Sequence, residues 1–231
     1  MKRATALLAF CFILLAQAGT GLSETGMAQG SDKLVYADFE TVKDNYPVTN
    51  RGGAVKLFAY QESPSSPSSF KGGQVAADVP ELVRLNKDDP NRAMTFKYQF
   101  QPPNQWAGVG VQVHGHEEKD GKIIADDVSG FKYLTVQLYV TGVTSISAEF
   151  VSRGQGIKMD SGFPALIFKV KPGFNTYRVP LNSVSQPTWA EIKVNSKDLL
   201  KKLTSINFVV SCAQCTPLNG DVVIDNVVFQ N

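Results

Sequence analysis

Polar and apolar side chains alternate with a period of two over much of the chain beyond residue 32. Met94, Phe96, Tyr98 and Phe100 share one parity, and Thr95, Lys97, Gln99 and Gln101 share the other. Leu134, Val136, Leu138 and Val140 likewise oppose Tyr133, Thr135, Gln137 and Tyr139. A strand sends successive side chains to opposite sides, so this pattern marks antiparallel strands with one buried and one wet face. Strands are expected over 33–40, 54–61, 93–101, 107–114, 131–140, 146–153, 164–170, 174–180, 206–211 and 221–229, with turn-forming residues between them. One short helix is expected near 196–203, where Asn195 or Ser196 caps the segment and Leu199, Leu200 and Leu203 offer packing. Many short strands and almost no helix predict an all-β fold, an antiparallel β-sandwich of jelly-roll type.

The first residues follow a different pattern. Lys2 and Arg3 precede a run over 4–15 that is apolar apart from Thr5, and Ala16 and Ala18 flank Gln17. That layout predicts a secretory signal peptide, and the run is shorter than the roughly 20 apolar residues of a spanning helix. We expect a signal peptide over 1–23, cleaved after Ala18 or else retained as an anchor. A flexible leader over 24–32 and one domain over 33–231 follow it. The expected location is periplasmic or secreted, with no membrane span after cleavage. The Ser- and Pro-rich stretch 62–69 reads as a long surface loop, since too little chain precedes it to make a domain. A domain of this size buries roughly 70% of its unfolded surface without needing a metal. The net charge of +2 is made of interspersed signs, which leaves no basic stripe for nucleic acid. Cys212 and Cys215 lie between strand-like runs, and in an oxidising compartment they predict one local disulfide.

Asp225 interrupts an apolar strand, where a lone carboxylate is costly. A cation, an Arg or Lys, or a set of amides has to compensate it. If the first and last strands pair, Asp38 or Glu40 would meet Asp225 and backbone carbonyls around one hard cation, a setting that suits calcium. The Asp38-Phe-Glu opening, the Asn50-Arg-Gly-Gly turn, Trp106-Ala-Gly-Val-Gly-Val and the closing Ile224-Asp-Asn-Val-Val-Phe resemble galactose-binding-like β-sandwiches. The segments Asp127-Val-Ser-Gly-Phe-Lys-Tyr-Leu and Tyr177-Arg-Val-Pro-Leu fit the same order. The nearest resemblances are to the family 11 carbohydrate-binding modules and to the domain of complex I intermediate-associated proteins. The resemblance implies a structural Ca2+ near the termini, carried by Glu40 and Asp225 with Asp38 as a further candidate.

It also implies that the outer face of one sheet takes a sugar. Such a face needs aromatic rings against C–H-rich sugar surfaces and polar groups to read hydroxyls. Tyr133, Thr135, Gln137 and Tyr139 form such a row on one strand. Gln112 with His114, Glu149 with Arg153, and Lys97 with Gln99 would extend it, and Trp106 is another candidate contact. An ordinary solvated face and a protein-docking face are the alternatives. Trp189 is expected to pack, and Phe163 is a candidate loop-tip contact. Catalytic patterns are incomplete. His114 and His116 are the chain's two histidines, fewer than a cupin metal site uses. Gln112-Val-His114 resembles one motif of jelly-roll alginate lyases, whose two companion signatures are missing. No strand carries the carboxylate pair of a retaining glycosidase, and no nucleophile elbow is present. The expected function is therefore a non-catalytic module binding a polysaccharide or glycoconjugate. A protein-interaction or assembly domain ranks second, and a polysaccharide-active enzyme third.

Overall fold

A computed structural model describes residues 32–61, 69–70, 78–100, 107–115, 119–212 and 218–231. Its strands are β1 (Lys33–Ala37), β2 (Thr41–Lys43), β3 (Tyr46–Val48), β4 (Val55–Gln61), β5 (Ser69–Phe70), β6 (Glu81–Arg84) and β7 (Arg92–Phe100). They continue as β8 (Ala107–His114), β9 (Tyr133–Val140), β10 (Ser145–Val151), β11 (Ala165–Lys169), β12 (Asn175–Pro180), β13 (Ser205–Cys212) and β14 (Leu218–Gln230). A 3-10 turn over Leu181–Ser183 and helix α1 (Ser196–Leu200) complete the elements. Every pairing is antiparallel. One sheet runs β12-β9-β14-β7-β5, with β1 beside β14 and β6 beside β7; the other runs β11-β10-β13-β8-β4. The fold is the expected antiparallel β-sandwich.

The alternation chooses what is buried. Met94, Phe96, Tyr98, Phe100, Leu134, Val136 and Leu138 from the first sheet join Val109, Val111, Val113, Phe150, Phe168, Ile206 and Phe208 from the second in one core cluster. Burying such side chains yields on the order of 1.5–3 kcal/mol each, which makes the core the main source of stability. The long strand β14 carries this pattern only because of a break in it. Val222 and Ile224 face the core before the break, whereas Val227 and Phe229 do so after it. A register shift between Asp225 and Val228, with Asn226 at φ 50°, inserts the residue that resets the phase. Asn tolerates that left-handed conformation at small cost.

Several details depart from expectation. The opening strand ends at Ala37 rather than running to residue 40, because the buried Phe39 turns to φ 56°. The β2–β3 hairpin was not expected; its Asp44 and Asn45, at φ 50° and 69°, form the tight turn that suits the twist of paired strands. Helix α1 is shorter than expected but capped as anticipated, with the Asn195 side chain accepting from the Lys197 and Asp198 N–H groups at 2.9 and 3.3 Å. The expected signal peptide lies outside the described residues, and among those described no helix is long and apolar enough to cross a membrane.

Candidate functional site

The seam between first and last strands forms as the sequence suggests. β1 pairs with the second half of β14 and β7 with its first half, so Asp225 sits where the two meet. It is fully buried. Asn91 Nδ2 and Asn226 Nδ2 donate to its Oδ2, each at 2.9 Å, and the Asn226 N–H donates to Oδ1 at 2.7 Å. Burial pushes its carboxyl above the usual range and these donors pull it back, while Glu40 and Asp38 push it up further. Asp38 is held by Asn50, and the Arg92 N–H donates to Glu40 at 2.6 Å while its guanidinium reaches the same residue. Amides from Asn91 and Asn226 compensate Asp225, and Arg92 compensates Glu40. As it stands the donor set does not fit a calcium shell: N–H groups face the Asp225 oxygens. Among the described residues no three acidic, histidine or cysteine side chains are grouped to hold a metal. Asp225→Ala removes three charge-assisted hydrogen bonds and should cost about 1–3 kcal/mol, read as a lowered midpoint in urea.

The candidate ligand residues do not lie together. Tyr133, Gln137 and Tyr139 point outward from β9 in one sheet; Gln112, His114 and Glu149 point outward from β8 and β10 in the other. The single mixed face expected from sequence is therefore two opposite faces. Lys97 and Gln99, on β7, belong with the tyrosines. Parity assigns each residue to a face of its own strand but is silent on which sheet that strand joins. The tyrosine face is also largely occupied with itself. The Arg178 guanidinium lies 3.8 Å from the Tyr133 ring centre, Gln230 donates to Thr135 at 2.7 Å, and Asn226 donates to Gln137 at 3.1 Å.

The five-stranded sheet presents something different. Glu149 lies opposite Asn207, Asn207 opposite Gln112, and Gln112 opposite Lys56, so one polar row crosses four strands. A parallel row holds Ile167, Ser147, Val209, Gly110 and Phe58. On the far side Val151, Ser205 and His114 are in register. A Cβ at Gly110 would come within 2.9 Å of the Phe58 ring and 2.7 Å of the Phe208 carbonyl oxygen. The ring thus lies across the glycine, and no side chain can rise there. Ser205, Asn207 and Val209 on the central strand are nearly inaccessible, although they point outward. Their flanking neighbours Gln112, His114, Ser147, Glu149 and Phe58 are half-buried. Strand β13 is thereby the floor of a shallow trough with a polar row and one aromatic wall.

Two features mark this trough chemically. Asn207, 3% exposed, has an Oδ1 that accepts no hydrogen bond, which is a costly state for a buried carbonyl. Burial raises the Glu149 carboxyl from an ordinary 4.5 to about 7, against a hydrogen bond from the Asn207 side chain that lowers it. Asn207, Phe58 and Lys56 were missed from sequence, though the alternation of Val55 to Phe58 and of Ile206 to Phe208 already turned them outward. Arg153 lies in the exposed loop after β10, its N–H donating to Thr204 Oγ1 at 2.9 Å. Trp189, expected to pack, is 56% exposed. Its loop is fastened by Asp160, which accepts from the Gly162, Glu191 and Ile192 N–H groups at 2.8–2.9 Å. Phe163 is half-buried. Trp106, His116 and Cys215 lie outside the described residues.

Fold and site together define an antiparallel β-sandwich with a polar trough on its five-stranded sheet. No family profile and no curated protein matches the chain. Among solved structures it is similar to the family 11 carbohydrate-binding module of the cellulosomal cellulase Lic26A-Cel5E of Clostridium thermocellum. That match is 15% identical and covers 86% of this chain and 94% of that one, with a TM-score of 0.49. A family 11 module from the same organism, in complex with a β-1,3-1,4-mixed-linked tetrasaccharide, matches at 15% identity over 86% and 95% of the chains, TM-score 0.48. The family 30 module of the cellulosomal cellulase Cel9D-Cel44B of Clostridium thermocellum matches at 12% over 74% and 95%, TM-score 0.43. The likeness is one of β-sandwich architecture and goes no further, and none of the three bears on the complex I resemblance.

Proposed function

We propose that the protein is an exported, non-catalytic carbohydrate-binding module that lays a glycan across the outer face of its five-stranded sheet. The observation that carries this reading is the polar row of Glu149, Asn207, Gln112 and Lys56 that crosses four strands of one outer sheet face beside the Phe58 ring. Gln112, Lys56 and Glu149 supply further polar contacts, and the Phe58 ring offers a flat apolar surface of the kind that stacks on sugar C–H groups. Retention on immobilised polysaccharides tests it. Phe58→Ala should weaken binding about tenfold, the equivalent of roughly 1.4 kcal/mol. The paired Tyr133→Ala and Tyr139→Ala substitutions on the opposite sheet should leave retention intact. The reverse result would return the site to the tyrosine face.

A second reading, a protein-interaction domain, draws on Ile167, Trp189 and Ile192, which are exposed on β11 and on the loop that bridges to it through Ser185 and Ala165. Binding to no glycan, with a partner captured only by protein carrying Trp189, would favour it. Two structural features accompany the main proposal. A Cys212–Cys215 disulfide would tie the end of β13 to the segment before β14. Calcium at the Asp225 seam would need both the Asn91 and the Asn226 side-chain amides to turn their N–H groups away from Oδ2. A melting temperature that neither calcium nor chelator moves removes that calcium.

A further inference from the structure

We propose that Trp189 is a second aromatic platform of the same site, so that the protein selects linear glycan chains long enough to reach from Phe58 to Trp189. The inference rests on the carbohydrate reading above and adds a specificity-determining residue and a length of ligand. It starts from the loop that carries the indole. Asp160 accepts from the Gly162, Glu191 and Ile192 N–H groups, and these bonds, that from Ile192 foremost, hold its carboxyl below the usual range. The Gln186 amide donates to the Gly162 and Ile192 carbonyls, each at 2.7 Å, and accepts from the Val194 N–H at 3.0 Å. The Lys193 ammonium closes on the Pro187 and Thr188 carbonyls at 3.4 and 3.2 Å. Ala190 is buried against Gly162, where an added Cβ would come within 2.4 Å of the Ala190 Cβ. The chain on either side of Trp189 is thus tied down, while the ring itself stays 56% exposed. An aromatic surface fixed in advance loses little freedom when a ligand settles on it.

The register places this loop at one corner of the trough. The polar row of Lys56, Gln112, Asn207 and Glu149 ends on β11 at Ala165. Ala165 exchanges both backbone bonds with Ser185, where the loop begins. Pro164 prolongs the pairing of β11 with β10 by accepting from the Phe150 N–H at 2.8 Å, so the turn over 160–163 lies beside the end of β10. Ala165 faces outward with Glu149 and is nevertheless buried, so the outer face rises at this corner. Trp189 adjoins Ala190, which is packed on Gly162 of that turn. Phe58 stands on the opposite edge, on β4, in the parallel row that ends at Ile167. The four strand spacings between β4 and β11 amount to about 19 Å, a span for several sugar units and too long for a disaccharide. A line from Phe58 to the Trp189 corner crosses the polar row near Asn207. A chain laid along it meets a ring at each end and hydrogen-bonding groups in between. The second ring contact forms within an existing complex, so its gain appears only in ligands that span both.

Retention of the full protein on immobilised mixed-linked β-glucan, xylan and pectin comes first. Calorimetry then uses the disaccharide and the hexasaccharide of the polysaccharide that holds it. The hexasaccharide should bind at least about tenfold more tightly than the disaccharide. Trp189→Ala should weaken the hexasaccharide about tenfold and leave the disaccharide unchanged, with a melting curve like the parent's because the ring is exposed. Trp189→Phe, which keeps a flat ring, should recover most of that loss. The indole N–H resonance that disappears in Trp189→Phe should move when the hexasaccharide is added to the parent and stay in place with the disaccharide. Trp189→Ala binding the hexasaccharide as the parent does, a hexasaccharide no tighter than the disaccharide, or a resonance that the hexasaccharide does not move overturns the proposal. If Phe58→Ala loses retention and Trp189→Ala keeps it, the trough stands and the span falls. Retention on none of the three polysaccharides overturns the carbohydrate reading, and the span with it.

Discussion

Arg51→Ala should cost the fold about 3–5 kcal/mol, the penalty for removing one partner of a buried ion pair. Asp126, whose side chain is 1% exposed, receives the Arg51 guanidinium at 3.1 and 3.2 Å. Its own backbone pairs with Leu203 in both directions, so it cannot swing out to water without breaking the sheet end. The surroundings are tight: a Cβ at Gly115 would come within 2.4 Å of Asp126 Oδ2 and 2.9 Å of the Tyr36 hydroxyl. Tyr36 feels the same charges. Its hydroxyl is pushed well above the usual range by burial first, then by Asp126, with Arg51 acting the other way. Removing the guanidinium takes away the two donors that reach Asp126 Oδ1. Adding Asp126→Asn to Arg51→Ala should recover much of the loss. A double variant no more stable than the single would show that the charge is not the cause. Chemical denaturation of the four proteins in the cycle measures it.

Glu149→Gln should raise stability at neutral pH, an unusual direction for a substitution. The ionised carboxylate is disfavoured by burial, and a pKa raised from 4.5 to about 7 means that the folded state holds a proton the unfolded chain has released. The stabilising contribution is therefore complete below about 4.5 and declines steadily as the pH rises to about 7. At about 1.4 kcal/mol per pH unit this amounts to on the order of 3 kcal/mol. Glutamine carries no charge to desolvate. The melting temperature of the variant above pH 7 should exceed that of the parent by roughly 5–10 °C, and the difference should vanish near pH 4. A constant offset at all pH values would mean a packing effect. Gain in stability together with weakened glycan retention would mark Glu149 as a residue kept for its ligand at the expense of the fold.

Much of the architecture was legible because burial on one side of a strand leaves a period of two in the sequence. Met94 to Phe100 and Leu134 to Val140 declared their inner faces, and the structure buries those residues. The segments that escaped notice are the short ones. Glu81–Arg84 pairs with β7 but carries too few residues for alternation to show, and the β2–β3 hairpin is signalled only by its Asp44-Asn45 turn. The seam was legible in part. An Asp inside an apolar strand announces a compensated charge, whereas the pairing of first and last strands that forms the seam is visible only in the structure. That amides meet the Asp225 oxygens, with Glu40 and Asp38 near enough to act on its charge, depends on Asn91, which is far away in the chain.

By itself, then, the sequence determined which residues face inward, where the chain turns, and that Asp225 and the outward polar residues require partners. These are local properties, set by the two-residue repeat of the strand and by the cost of burying charge. Only the tertiary structure decided that Gln112, His114 and Glu149 share one face while Tyr133, Gln137 and Tyr139 share the opposite one. Strand order arises from pairings between distant segments, such as β8 with β13 and β9 with β14, and no local pattern encodes them. The same holds for the altered acidity of Glu149. A carboxyl's pKa responds to the solvent and donors around it, and those are supplied by Asn207 and the neighbouring strands once the sheet has closed.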